Sequence, residues 1–225
     1  MLRIKLMVFV GLATALGLPG VARAQATPLS DVFWLDYFDN AGGTPDASVR
    51  ITNPGTTFTT TTPPSGDLCA MIYVYRPDQE LSECCGCKIT PNGLLKLSVN
   101  NNLTSNPANG KTLTSGVIKI ISALPSTSST TPSTGSSAGC DPSGGLSSTG
   151  ALLPLVPTPA IRAWATHLED NGTLTESPFQ AASLSATELT LNQLSCLFIE
   201  GASIIPGIGS GAGLCSCTNE ASGNW

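Results

Sequence analysis

Residues 69–95 read CAMIYVYRPDQELSECCGCKITPNGLL and hold four of the eight cysteines of the chain. The run 68–75 (LCAMIYVY) is rich in β-branched and aromatic residues and carries no charge, which predicts a buried strand. Arg76-Pro77-Asp78-Gln79 predicts a type I turn: proline presets φ at the second position, and aspartate accepts local backbone hydrogen bonds. Residues 80–87 then return as the partner strand. With one bulge in this hairpin Cys69 faces Cys87 and Met71 faces Cys85; without it the register moves by one residue, so the pairing stays open. Cys84 and Cys85 are neighbours and point to opposite faces of a strand, so they bond to different partners. Thr90-Pro91-Asn92-Gly93 is a second turn, followed by a strand over 94–99.

The order of these features, C-A-M-I-Y-V and then D-Q-x-x-x-x-C-C-x-C-x-x-T-P-N-G-L, resembles a group of uncharacterised secreted bacterial proteins. In that group the hairpin is followed by segments similar to 97–106 (LSVNNNLTSN), 116–120 (GVIKI) and 162–167 (RAWATH), and by a closing Cys215-Ser216-Cys217. The resemblance covers most of the chain after residue 24. It implies a secreted, β-rich, cysteine-bridged protein and no particular chemistry.

Residues 1–24 have the pattern of a signal peptide. Arg3 and Lys5 form the basic start, 6–18 the apolar centre, and Ala22-Arg23-Ala24 the small-residue cleavage site, with Ala24-Gln25-Ala26 as a second choice. No other run approaches the ~20 apolar residues of a membrane span. After residue 24 the chain carries seven basic and fifteen acidic residues, a net charge of −8. That balance argues against nucleic acid or an anionic membrane as partner, since both need basic patches. Eight cysteines in an exported chain predict a disulfide framework built from Cys69, Cys84, Cys85, Cys87, Cys140, Cys196, Cys215 and Cys217, whose connectivity is left open.

Further strands are predicted over 32–38, 47–52, 116–123 and 160–169. In the last, Ile161, Ala163 and Ala165 alternate with Arg162, Trp164, Thr166 and Leu168, and a short helix is the rival reading. Residues 124–150 are Ser, Thr, Gly and Pro with little apolar surface, which predicts a mobile loop pinned to the body by one bridge from Cys140. Ser185-Ala186-Thr187-Glu188 is a capping box that opens a helix, with Leu189, Leu191, Leu194, Cys196, Leu197 and Phe198 as its apolar side and Gly201 as its end. Cys196 is then the natural partner of Cys215 or Cys217. The sum is a mainly β protein: an antiparallel β-sandwich of about seven strands with one short late helix, in a single domain over 27–219.

Candidate chemistry is sparse. His167 is the lone histidine, so any serine or cysteine triad must use it, and no G-x-S-x-G elbow occurs; a structural role is expected. Cys84, Cys85, Cys87, Cys215 and Cys217 could gather as thiolate ligands, but C-C-x-C and C-x-C match zinc ribbons poorly, so no metal is assigned. Asp36, Asp39, Asn40 and Asp46 flank a glycine loop and offer oxygen ligands of the kind calcium takes, against the plainer reading of an acidic loop. Glu169, Asp170 and Glu176 suggest a glycosidase pair, in a chain with only three tryptophans for sugar stacking. Gly207-Ile208-Gly209-Ser210-Gly211-Ala212-Gly213 is not a dinucleotide fingerprint, and no cofactor is assigned. The sequons at Asn102 and Asn171 are discounted with the bacterial resemblance.

The expectation is therefore a secreted or cell-surface structural or adhesive protein that is not an enzyme, able to associate with a cell surface or with itself. An exported carbohydrate- or ligand-binding module is the alternative, and an exported hydrolase the last. Mature protein recovered from the medium is expected to begin at Gln25 or Thr27 by mass-spectrometric sequencing; retention of Met1 would remove the extracellular argument.

Overall fold

A computed structural model describes residues 29–40, 46–57, 66–126, 135–169, 172–203 and 212–217. The predicted signal segment, the glycine pair of the 39–46 loop and the glycine-alternating run 207–211 lie outside the described residues. Nine strands occur among them: β1 (Leu29–Asp39), β2 (Ser48–Thr52), β3 (Leu68–Tyr75), β4 (Leu81–Ile89), β5 (Leu94–Ser98), β6 (Ser115–Ala123), β7 (Arg162–Leu168), β8 (Leu174–Pro178) and β9 (Gln180–Leu184), followed by helix α1 (Ala186–Ser203). They form two antiparallel sheets, ordered β4-β3-β6-β1-β9 and β5-β2-β7-β8. The sandwich with one late helix is as expected, with two strands beyond the seven. The segment 174–184 lacks a clean apolar alternation because β8 is exposed at every position but the half-buried Ser177. At Phe179, whose amide donates to the Ala163 carbonyl at 2.9 Å, the chain passes from one sheet to the other.

Two apolar cores result. Between the sheets lie Trp34, Phe38, Val49, Ile51, Ala70, Ile72, Leu97, Ile118, Ile120 and Ala163. On the outer face of the five-stranded sheet lie Phe33, Met71, Tyr73, Ile121, Leu155, Leu184, Cys196 and Ile199, covered by α1 and the chain around Cys140. Strand β3 sits between β4 and β6 and is buried on both faces, which is why 68–74 carries no polar side chain for solvent. Ile161, just before β7, and Ala163 and Ala165 within it are buried, while Trp164 and Thr166 between them are half-buried on the opposite face, so the alternation marks a strand and not a helix.

The structure fixes the hairpin register that the sequence left open, and Cys69 does not face Cys87. A bulge between Val74 and Tyr75 sets Ala70 opposite Cys87, Ile72 opposite Cys85 and Cys69 opposite Lys88. Cys84 and Cys85 bond to different partners on opposite faces, as strand geometry requires. The bridges are Cys84–Cys196, Cys85–Cys215, Cys87–Cys217 and Cys69–Cys140. Cys196 thus joins α1 to β4, not to the tail, because the outward face of β4 lies beneath the helix. Cys69 reaches out of the hairpin to Cys140, so that bridge is not internal to the hairpin. Each closes a loop of 71 to 130 residues, worth ~4–5 kcal/mol apiece in the chain-entropy picture.

Of the segment 124–150, expected to be mobile, residues 127–134 lie outside the described residues and 135–145 are built into the body. The Ser136 and Ser137 hydroxyls accept the Gly86 and Lys88 amides at 2.9 and 3.0 Å, and the Ser137 amide donates to the Gly86 carbonyl at 2.8 Å. Cys140 and Ser143 are fully buried. Low apolar content misled here because hydrogen bonds to an open sheet edge, not apolar burial, hold the segment. The tail covers the rest of that edge: the Cys84 amide donates to the Gly213 carbonyl, and the Cys215 amide to the Cys84 carbonyl.

Helix α1 starts as expected, the Glu188 amide donating to the Ser185 hydroxyl at 3.0 Å. Glu188 does not reach back, however; its carboxylate takes Lys119 at 2.7 Å and Asn192 at 3.1 Å. The helix runs two residues past Gly201. Its apolar side was misjudged: Asn192 and Gln193 are buried, while Leu191, Leu194 and Phe198 are exposed, Phe198 at 77%. Gln193 Nε2 donates to the Ser143 and Leu153 carbonyls, and Asn192 Oδ1 accepts the Tyr75 hydroxyl, so polar partners orient the helix.

A β-carbon added at Gly86 would lie 1.9 Å from the Cys140 carbonyl oxygen and 3.0 Å from Met71 Sδ. Gly86→Ala should therefore push the 135–140 segment off β4 and cost about 3 kcal/mol or more, read as a lower melting temperature. An unchanged melting temperature would contradict this packing.

Candidate binding surface and buried polar groups

The predicted site residues separate into buried groups, saturated groups and one exposed surface. His167 on β7 is buried; its Nε2 is 3.3 Å from Asp36 Oδ2, and its ring lies 4.5 Å from that of Tyr37. Desolvation raises the Asp36 carboxyl above the usual carboxylate range, opposed in part by His167 and the Tyr37 amide. The pair sits in the inter-sheet space, and Tyr37 covers the ring.

Asp36 therefore does not join the other members of the proposed calcium set. Asp46 Oδ1 accepts Asn40 Nδ2 at 3.0 Å and the Asn100 amide at 3.1 Å, and its Oδ2 accepts the Ser98 hydroxyl. Asn40 Oδ1 takes the Ala47 amide at 3.0 Å. These bonds tie the start of β2 to the π-helical turn Val99–Leu103, and they occupy the oxygens a cation would need. Glu176 pairs with Arg50 at 2.5 Å, and Glu169 accepts the Thr175 hydroxyl at 2.6 Å; Asp170 lies outside the described residues. The sulfurs of Cys85, Cys87 and Cys217 come within 4.8 Å of one another, and all three are committed to bridges.

One buried carboxyl was not singled out from the sequence. Glu83 on β4 is fully buried; its Oε1 accepts the Asn106 amide at 3.0 Å, and Oε2 has no hydrogen-bond partner among the described residues. Desolvation pushes this carboxyl up to about 8, the Asn106 bond opposing it. The available signal was an acid at the inward-facing parity of Cys85 and Cys87, two and four residues before them.

The exposed surface is the outer face of the four-stranded sheet. Cross-strand pairing lays Lys96, Arg50, Trp164 and Pro178 in one row over β5, β2, β7 and β8. The next row carries Ser98, Ser48, Thr166 and Glu176, with the Ser48 amide donating to Thr166 Oγ1 at 2.7 Å. A shallow recess of about 580 Å³ opens here, lined by Asp46, Ser48, Arg50, Lys96, Ser98, Thr166 and Leu174. The residues come together because each strand shows its odd-facing side chains to the core and its even-facing ones to solvent. The arrangement offers hydroxyls, guanidinium and ammonium donors and an indole side by side on a rigid support. Comparison with protein-family models, with curated proteins and with solved structures found no match.

Glu83 makes stability depend on pH. The carboxyl, ordinarily near 4.5, is held protonated in the fold up to about 8. The stabilisation is fully present below the unfolded value and is lost as pH rises through the folded one, a total of several kcal/mol, on the order of 4–5. The melting temperature should fall between pH 5 and pH 9, and Glu83→Gln should flatten that slope. Equal slopes for both proteins would show that Glu83 is not the titrating group.

Proposed function

We propose that this is an exported, non-catalytic protein of structural or adhesive type, which attaches through the outer face of its four-stranded sheet to carbohydrate. The single observation that carries the reading is that nothing among the described residues covers this face. The five-stranded sheet is buried on one side by the other sheet and on the other by α1 and the Cys140 segment. Among the described residues the four-stranded sheet is covered on one side only, and its other side carries Arg50, Lys96, the half-buried Trp164 and the Ser48, Ser98 and Thr166 hydroxyls. Sugar recognition needs this mixture: hydroxyl-directed donors and acceptors, and an aromatic plane for the apolar ring face.

Four disulfides favour an oxidising compartment, and none of the helices among the described residues is long and apolar enough to cross a membrane. The non-catalytic reading is supported by the state of the ionisable candidates. His167 and Asp36 are sealed in the core, and Glu169 and Glu176 are engaged with Thr175 and Arg50. A rigid platform held by long-range bridges suits attachment under mechanical or proteolytic stress.

A glycan array followed by affinity electrophoresis tests the proposal. Trp164→Ala is expected to weaken retention by at least about tenfold, on the order of 1.4 kcal/mol, with an unchanged circular-dichroism spectrum. Absence of retention on every glycan, or retention indifferent to Trp164, would reject this face as the attachment surface.

A further inference from the structure

We infer that the outer side of α1 is an interface for a second copy of this chain, joined about a two-fold axis with the two helices antiparallel. Leu191, Leu194 and Phe198 follow one another at the i, i+3, i+7 spacing of a single helix face and are exposed to 54%, 47% and 77%. Phe198 is the most exposed large apolar side chain among the described residues. Single exposed leucines are ordinary on a protein surface, whereas a continuous apolar row marks a contact surface. This row is held outward. Asn192 and Gln193 fasten the opposite face of the helix to Tyr75 and to the Ser143 and Leu153 carbonyls, and Cys196 bonds it to Cys84. The helix therefore has no freedom to turn the row into its own core.

What selects a second copy is that this surface is complementary to itself. Two recesses run in line between α1 and the β3–β4 turn. One, of about 370 Å³, lies beside Leu191 and is walled by Tyr75, Pro77 and Val117. The other, of about 600 Å³, lies beside Leu194 and Phe198. They meet at Tyr75, Gln79 and Ser195, which line both. Leu191 and Phe198 stand at equal distances along the helix from the midpoint of Leu194 and Ser195, about 5 Å at the helical rise. A two-fold axis at that midpoint lays each Phe198 over Leu191 of the other copy and into the recess beside it. One surface thus supplies both the protruding ring and the hollow, and the contact is made twice. The same rotation sets Arg76, at the first recess, against Glu80, at the second; Glu80 forms no ion pair among the described residues. Charge agrees with this pairing. The recesses are lined by Arg76 and Lys119 against Glu80 and Glu188, with Asp78 paired to Arg76, so this face carries one net negative charge of the eight that follow residue 24. Over the rest of the protein like charge opposes contact between two copies; here it hardly does. Because α1 lies on the outer face of the five-stranded sheet, the dimer points its two four-stranded sheets in opposite directions. It would then bridge two glycan surfaces, a consequence that rests on the attachment reading above, as the dimer itself does not.

Sedimentation equilibrium of the disulfide-bonded chain over a wide range of concentration tests the interface. The wild-type chain should associate reversibly to a dimer. Phe198→Asp and Leu191→Lys, both at exposed positions, should each weaken association by about tenfold or more and leave the circular-dichroism spectrum unchanged. An equimolar mixture of the two variants should recover the dimer. The two-fold arrangement then sets the new carboxylate of one chain against the new ammonium of the other and keeps one contact between Phe198 and Leu191 intact. A wild-type chain that stays monomeric at every concentration would overturn the inference, and so would a dimer that Phe198→Asp leaves as tight as before. Variants that are monomeric alone and remain so when mixed would overturn the antiparallel two-fold contact. A monomer that binds phosphatidylcholine vesicles, and loses them on Phe198→Asp, would also overturn it by giving the row to a lipid surface.

Discussion

Everything in this molecule hangs on β4. Three of its nine residues are cysteines, and strand geometry sends Cys84 to one face and Cys85 and Cys87 to the other. Cys84 holds α1 on the outer face of the five-stranded sheet; Cys85 and Cys87 hold the tail along the edge. Without these bonds β4 would be an edge strand with open amides and carbonyls, a template for pairing with another chain. With them, and with the Ser136 and Ser137 hydroxyls, the edge is closed by covalent and hydrogen-bonded cover at once. The loops so closed span more than half of the chain, so one strand couples distant parts of the sequence.

That coupling explains which surface is left for function. A sheet with both faces buried has no side chains to spare, and the uninterrupted apolar run of β3 is the result. The four-stranded sheet can divide its residues between core and solvent. Its outward residues form rows across strands because antiparallel pairing places residues far apart in sequence directly opposite one another. Lys96, Arg50 and Trp164 become neighbours in this way, although 46 and 114 residues separate Lys96 and Trp164 from Arg50.

The polar groups inside the fold are placed differently. Asn192 and Gln193 satisfy Tyr75 and two loop carbonyls, so they set the rotation of α1 about its own axis. As a consequence Leu191, Leu194 and Phe198 of that helix face outward. Glu83 and Asp36 lie within the core under a desolvation penalty that their partners offset only in part. Such groups lower stability and raise its dependence on pH, and the four bridges supply the margin that tolerates them.

Much of the fold was legible in the sequence. The strand at 68–75, the turn after it, the opposed partners of Cys84 and Cys85, the strand character of 162–168 and the start of α1 all follow from local rules: side-chain period, turn residues and a cap. The sequence by itself determined the class of fold and the set of bonded cysteines, because alternation and composition act over a few residues. Tertiary structure alone decided the rest. The bulge between Val74 and Tyr75 fixed a hairpin register that the residues left open; the open edge of β4 turned a Ser/Gly stretch into packed structure; and polar partners beneath α1 turned Leu191, Leu194 and Phe198 outward. The pairing of Cys196 with Cys84, and the row of Lys96, Arg50 and Trp164, depend on contacts between residues tens of positions apart. No local period records such contacts, since they exist only once two sheets and a helix have been brought together.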